Sequence, residues 1–312
     1  MIFFNKKITI ALSLIVATFT LTIETTHANP RRKLFPESER INLRERLGKA
    51  IEDEDLQEIH AAITDGAGLN DCSQNGFTPL TQAFHEQAII RDNKTLADFE
   101  IANFLLRKGA RADILDNFDA CPLVDFACFC DAETGAALIK NSTDLNVTGC
   151  GSAAGYEEIY CTALHSAASY ANATMLELLI ENGADIHTTE LGELESTPLH
   201  CAAYNTTQNT FHLENTRTKC VSKLIKEGAQ IDARDSEQNT PLHLAAASGF
   251  NMAIQLLVAA GSDVFAVNSS LETPLNLAQK SLAFIDAKKA KKRAMYKSCI
   301  HVIEEAMAAY TR

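Results

Sequence analysis

A tetrapeptide returns along the chain at a near-constant interval, and that recurrence restricts the fold more than any other feature. Thr197-Pro198-Leu199-His200 and Thr240-Pro241-Leu242-His243 are identical, and Thr162-Ala163-Leu164-His165 differs only at its second position. Thr78-Pro79-Leu80-Thr81, Cys121-Pro122-Leu123-Val124 and Thr273-Pro274-Leu275-Asn276 are weaker copies. The six starts, at 78, 121, 162, 197, 240 and 273, lie 43, 41, 35, 43 and 33 residues apart. A unit of that length cannot bury its own apolar face, so it must stack on its neighbours.

Each copy also reads as the start of a helix. The Thr hydroxyl can accept a hydrogen bond from an unpaired backbone N–H, and Pro at the first helical position loses only an N–H that had no partner. In the cleanest unit Leu242, Ala245 and Ala246 form one small apolar face, and Gly249 ends the helix. Ile254, Leu257 and Val258 mark a second helix, closed by Gly261 in the left-handed cap that glycine enters cheaply. Gly109, Gly183 and Gly228 follow apolar helices in the same way. The polar stretch Asn268–Glu272 then leads into the next Thr-Pro.

This pattern resembles the ankyrin repeat, whose period is about 33 residues. The resemblance runs from about residue 40 to 312 and is sharpest over 157–266. It implies an all-α repeat solenoid, with stacked helix-turn-helix units and short β-hairpin connections. Seven units follow, caps included: 39–73, 74–115, 116–156, 157–192, 193–235, 236–267 and 268–312. Leu43, Leu47, Ala50 and Ile51 at one end, and Ile300, Ile303, Ala306 and Met307 at the other, alternate with charges as capping units require. The resemblance also implies that Thr162, His165, Thr197, His200, Thr240 and His243 are structural, each His bonding backbone groups near its turn. Thr81, Val124 and Asn276 depart from that pattern, so their units should be less tightly tied. The longer spacings predict insertions near His85–Phe99, Thr148–Tyr160 and Asn205–Lys219.

Protein binding through the concave face and the finger tips is what the resemblance implies for function. The tip residues are Asp71, Gln74, Asn75, Asp116, Asn117, Asp119, Glu193, Glu195, Asp235, Glu237, Gln238 and Glu272. Their polarity predicts a partner with a basic or polar surface. No catalytic residue, cofactor or metal is expected. Histidines on neighbouring helices sit about 8–10 Å apart, whereas zinc ligands lie about 2 Å from the metal. Cys128-x-Cys130 is too tightly spaced for the usual metal pair. Gly149–Gly155 is glycine-rich but lacks the strand-to-helix setting of a phosphate loop. No G-x-S-x-G nucleophile motif occurs. The alternative, an enzyme with its site in the inserted loops, has no motif behind it.

Residues 1–28 read as a signal peptide: Lys6 and Lys7 precede the apolar run Ile8–Ile23, and small residues surround Ala28. Residues 29–38 form a linker. The apolar run is short for a span of about 20 residues, although its retention would tether the domain to a membrane. The expected location is therefore the periplasm or the extracellular space, and the expected state a monomer. The formal charge is −12, and losing Lys6, Lys7 and Glu24 takes it to −13. Such acidity argues against broad nucleic-acid binding, which relies on Lys and Arg at phosphates. Among nine cysteines, Cys150 and Cys161 bracket an insertion and are the expected disulfide. Cys201, Cys220 and Cys299 read as buried apolar residues. The run Lys288, Lys289, Lys291, Lys292 and Arg293 reads as a solvated helix face, the sharper alternative being a contact for an anionic partner or lipid.

Overall fold

The computed structural model describes residues 36–88, 99–150, 160–191, 194–204, 214–286 and 289–310. Among them, fourteen helices fall into seven consecutive pairs. The pairs are α1 (Glu37–Glu52) and α2 (Leu56–Asp65), α3 (Pro79–Ala88) and α4 (Glu100–Arg107), and α5 (Pro122–Phe126) and α6 (Ala132–Lys140). Next come α7 (Ala163–Ser169) with α8 (Ala173–Glu181), and α9 (Pro198–Ala203) with α10 (Glu214–Lys226). The last are α11 (Pro241–Ser248) with α12 (Asn251–Ala259), and α13 (Pro274–Phe284) with α14 (Ala290–Tyr310).

The recurring tetrapeptide sets this register. Thr162, Thr197, Thr240 and Thr273 are the N-cap residues of α7, α9, α11 and α13. The leucine two residues on is the anchor. Leu80, Leu123, Leu164, Leu199 and Leu242 are all buried, and all five belong to one apolar cluster. First helices pack on first helices, α9 between α7 and α11, while second helices stack likewise, α10 between α8 and α12. One apolar interior therefore runs without a break from Leu47 in α1 to Ile303 in α14. The glycines that end the second helices, at 109, 183, 228 and 261, hold φ between 91° and 95°.

Between pairs the chain projects a finger. Most fingers are single tight turns rather than the expected β-hairpins: Ser73 N–H bonds Phe77 O at 2.9 Å, Asp116 bonds Ala120 at 2.9 Å, Asp235 bonds Asn239 at 3.0 Å and Asn268 bonds Glu272 at 3.1 Å. Among the described residues the only paired strands are β1 (Gly149–Cys150) and β2 (Tyr160–Cys161), antiparallel with Gly149 opposite Cys161 and Cys150 opposite Tyr160. That register overturns the expected disulfide. The two cysteines are one residue out of step, and successive strand residues face opposite sides. No disulfide links them; the Cys161 thiol lies 3.5 Å from Ser166 Oγ instead.

The expected insertions are only partly described. Residues 89–98, 151–159 and 205–213 lie outside the described residues, as do the signal peptide and most of the linker. Where the third insertion was expected to continue to Lys219, the chain is already helical from Glu214. The reason lies in Arg217, which is 1% exposed. Its guanidinium donates to Ser169 O at 2.7 Å, Tyr204 O at 3.0 Å and Cys201 O at 3.3 Å. A cation placed at the carbonyl ends of α7 and α9 satisfies acceptors that have no helical partner. Arg293 does the same for α13, donating to Leu282 O at 3.2 Å and Ile285 O at 2.8 Å.

Candidate functional site

Three histidines hold the fingers of the C-terminal units in place. Backbone N–H groups of Thr162, Thr197 and Thr240 donate to Nδ1 of His165, His200 and His243 at 3.3, 3.2 and 3.1 Å. Nε2 of the same rings reaches Ser196 O, Asn239 O and Glu272 O at 3.0, 3.0 and 3.1 Å. Each acceptor immediately precedes the next unit's threonine. A backbone N–H can only donate and a carbonyl only accept, so the partners require a neutral ring with its proton on Nε2. Burial pushes the His165 pKa down to about 4 and lowers those of His200 and His243.

The departures at this position behave as their chemistry dictates. Asn276 Oδ1 accepts the Thr273 N–H at 2.9 Å, copying the Nδ1 half of the histidine. Thr81 turns its hydroxyl back to Thr78 O at 3.0 Å. Val124 is buried and apolar. Aromatic packing joins those N-terminal units instead: Phe84 stacks on Phe126 with centroids 3.9 Å apart, and Phe99 and Phe129 extend the group.

Two of the expected tip residues lie beneath the tip. Asp116 is 5% exposed and Asp235 3%. Asp116 Oδ1 accepts the N–H groups of Phe118 and Ala120 at 2.8 and 3.0 Å. Asp235 Oδ1 accepts Asn239 N–H at 2.7 Å. Asn268 repeats the device with Ser270 and Glu272, both at 3.0 Å. These side chains fold the turn and present no surface. One position per finger is left-handed: Gly76, Asp119, Glu195, Gln238 and Leu271 have φ of 90°, 58°, 49°, 61° and 59°. Four of the five are not glycine, a conformation that non-glycine residues adopt uncommonly, and at Asp119, Gln238 and Leu271 the buried Asp116, Asp235 or Asn268 bonds the same turn.

The fingers are bonded to one another in a continuous row. Asn117 N–H donates to Gly76 O at 3.0 Å, Cys150 N–H to Asp119 O at 2.8 Å, and β1 pairs β2. Tyr160 and Leu191 exchange both backbone bonds, at 3.1 and 2.7 Å. Ser236 N–H donates to Leu194 O at 3.0 Å and Ser269 N–H to Glu237 O at 2.9 Å. The outer edge of this row carries Asn117, Asp119, Glu195, Glu237 and Gln238, all exposed. Glu272 is half-buried and paired with Lys280 at 3.0 Å. Gln74 and Asn75 are tied to α1 through Glu45 and Glu52, and Asp71 lies 3.8 Å from Arg44. Glu193 lies outside the described residues.

Apolar side chains complete the ridge, and sequence reasoning missed them. Phe118, Leu191, Leu194 and Leu271 are 58%, 57%, 46% and 80% exposed. A single leucine inside a polar turn carries no periodicity, so no sequence signal marks it. Phe118 is held by its neighbours: its ring lies across Gly76, where an added Cβ would sit 2.8 Å from Cε2, and its centroid is 5.1 Å from that of Phe77.

The buried cysteines are poorly suited to nucleophilic chemistry. Burial pushes the thiols of Cys121, Cys130, Cys220 and Cys299 up to about 12 and that of Cys161 to about 11. A thiol with such a value stays protonated at neutral pH. Cys220 and Cys299 are buried as expected. Cys201 is only half-buried and donates to Glu190 Oε1 at 3.3 Å. Among the described residues no group of three or more His, Cys, Asp or Glu side chains converges as metal ligands would. No described helix is long and apolar enough to cross a membrane.

A family model described as ankyrin repeats matches the chain three times, over residues 87–190, 189–268 and 210–287. Human ankyrin repeat and IBR domain-containing protein 1 is 41% identical over 75 residues, which cover 20% of this chain and 7% of that protein. The human transient receptor potential cation channel subfamily A member 1 is 25% identical over 234 residues, covering 63% of this chain and 18% of the channel. The chain thus spans a small part of the curated relatives it matches. Among solved structures, the ankyrin repeat domain of human ASB11 superposes with a TM-score of 0.56 at 21% identity, covering 81% of this chain and 96% of that one. The ankyrin repeat domain of Bcl-3 gives 0.53 at 21% identity, covering 81% and 97%. These two likenesses concern the fold alone.

Proposed function

Because the chain belongs to the ankyrin-repeat family, we propose that it is an exported scaffold that binds another protein through its finger ridge and concave face. Ankyrin repeats mediate protein–protein interaction, and the finer reading rests on one observation. The fingers form a continuous hydrogen-bonded row whose exposed edge alternates Phe118, Leu194 and Leu271 with Asp119, Glu195 and Glu237. A rim of that composition matches a partner that is basic and carries apolar side chains. The row is already rigid, so docking orders little additional chain.

The binding surface in this reading comprises Asn117, Phe118, Asp119, Leu194, Glu195, Glu237, Gln238 and Leu271. Export rests on the charged-then-apolar pattern of residues 1–28, and a mature N-terminus near Asn29 by mass spectrometry is its test. The ridge is tested by placing a photocrosslinking residue at Phe118, Leu194 or Leu271, and separately at the exposed Glu177 of α8. Adducts with one protein from the three ridge sites and none from α8 are expected. Adducts from α8 alone would overturn the ridge.

A further inference from the structure

Six Asn-x-Ser/Thr triplets, none with proline at x, start at Asn93, Asn141, Asn146, Asn172, Asn205 and Asn268. In a chain that passes through a secretory route this triplet is the acceptor of N-linked sugar, which is attached at the side-chain amide nitrogen. Asn93 and Asn205 lie outside the described residues. The other four differ in what the amide nitrogen already does. Asn172 gives Nδ2 to two carbonyls, Ala127 O and Cys130 O, both at 3.0 Å. Asn268 is 9% exposed, and its Nδ2 donates to Asn239 Oδ1 at 2.9 Å. Asn141 is half-buried at the C-cap of α6, with Nδ2 folded back on Ala137 O at 2.8 Å. A sugar takes one hydrogen of that nitrogen. Asn172 would then leave a carbonyl without its donor, and Asn268 and Asn141 would have to carry a bulky group out of a covered site.

Asn146 is exposed, in the turn that links α6 to β1. Its Oδ1 accepts the Asp185 N–H at 2.8 Å. A backbone N–H can only donate, so this bond fixes which end of the amide is the oxygen. The nitrogen of the same amide makes no hydrogen bond among the described residues. The turn itself is held firmly: Asp144 Oδ1 accepts the Asn146 N–H at 2.8 Å, and Asp113 Oδ2 accepts the N–H groups of Thr143 and Asp144 at 2.7 and 3.0 Å. We propose that Asn146 is the N-glycan acceptor of the exported chain. This rests on the export reading, because the sugar donor, a lipid-linked oligosaccharyl pyrophosphate, is met on the far side of the membrane. Nδ2 attacks the anomeric carbon of that donor. A C–N bond forms, the C–O bond to the pyrophosphate breaks, the lipid pyrophosphate leaves with the electron pair, and Nδ2 loses one proton. Nothing is oxidised or reduced. Oδ1 takes no part in the new bond, so the bridge to Asp185 survives in the product.

The test expresses the full chain in cells that add N-glycans, once with its own residues 1–28 and once with the cleaved leader of a known secreted protein in their place. Each product is digested and mapped by mass spectrometry before and after peptide-N-glycosidase, which leaves Asp where a glycosylated Asn stood. A glycan on Asn146 in both forms is expected. Thr148→Ala keeps the amide but breaks the triplet, and should abolish the glycan; Thr148→Ser should retain it. A glycan on the second form alone would support the site and count against export by residues 1–28. A bare Asn146 in a form whose leader has been cleaved would overturn the proposal, as would occupancy of Asn141, Asn172 or Asn268 in its stead. So would a Thr148→Ala chain that keeps its glycan at Asn146.

Discussion

The two halves of the solenoid lock successive units by different means. From α7 onward the lock is directional: three buried histidines each bridge to the carbonyl before the next unit's threonine. From α3 to α6 that bridge is missing, because Thr81 is too short and Val124 has no polar atom. There the units meet through Phe84, Phe99, Phe126 and Phe129. A hydrogen bond fixes distance and angle, whereas an aromatic cluster mainly rewards burial. The same helix-pair geometry can therefore be held by polar precision or by apolar bulk, and the halves should fail under different insults.

The largest effect should come from the apolar half. Phe84→Ala removes a fully buried ring from the stack, and a loss of about 3–5 kcal/mol is expected in chemical denaturation. Helices α3–α6 should lose hydrogen-exchange protection first. Arg217→Leu comes next, at about 3 kcal/mol, since three carbonyls lose their donor. Its damage should fall on α7, α9 and α10. Equal loosening of α3–α6 would mean that the halves are not separable.

Acidification probes the histidine lock without mutation. The folded-state values of His165, His200 and His243 lie below the ordinary value near 6.5. The unfolded chain therefore binds protons that the folded rings refuse. Stability should be complete above about pH 6.5 and fall as pH drops toward the His165 value of about 4. In the N-terminal half Asp113 is also perturbed. Burial would raise it, but Arg111 and the donors of Thr143 and Asp144 hold it below the usual carboxylate range. Its stabilisation is lost only below about pH 4, so the window between the two values isolates the C-terminal half. His200→Ala should cost about 2 kcal/mol at neutral pH and flatten the acid response.

The smallest effects separate turn-formers from surface. Asp235→Ala removes the acceptor that folds its finger and should cost about 1–2 kcal/mol. Glu237→Ala, on the exposed edge two residues away, should stay within about 0.5 kcal/mol yet weaken partner binding. Similar stability losses for both would remove the distinction between the buried and outer positions of the finger.

Much of the fold was legible because the tetrapeptide encodes its own geometry. Thr caps, Pro begins, Leu anchors and His ties, and Gly261 ends the second helix where the pattern said it should. The finger surface was harder to read. Asp116, Asp235 and Glu237 look alike in sequence, and only their placement beneath or upon the turn separates them. Phe118, Leu194 and Leu271 escaped because one apolar residue in a turn has no period to reveal it. The Cys150–Cys161 pairing failed on register, which two short strands on either side of a nine-residue stretch do not specify. Arg217 could not be read as a buried cap, since its acceptors lie on two other helices.

Hydrogen exchange read helix by helix at pH 7 and pH 5, corrected for the intrinsic rate at each pH, tests the histidine lock most directly. Helices α7–α14 should lose protection at the lower pH while α1–α6 keep theirs. Equal loss along the whole chain, or none at all, would contradict it.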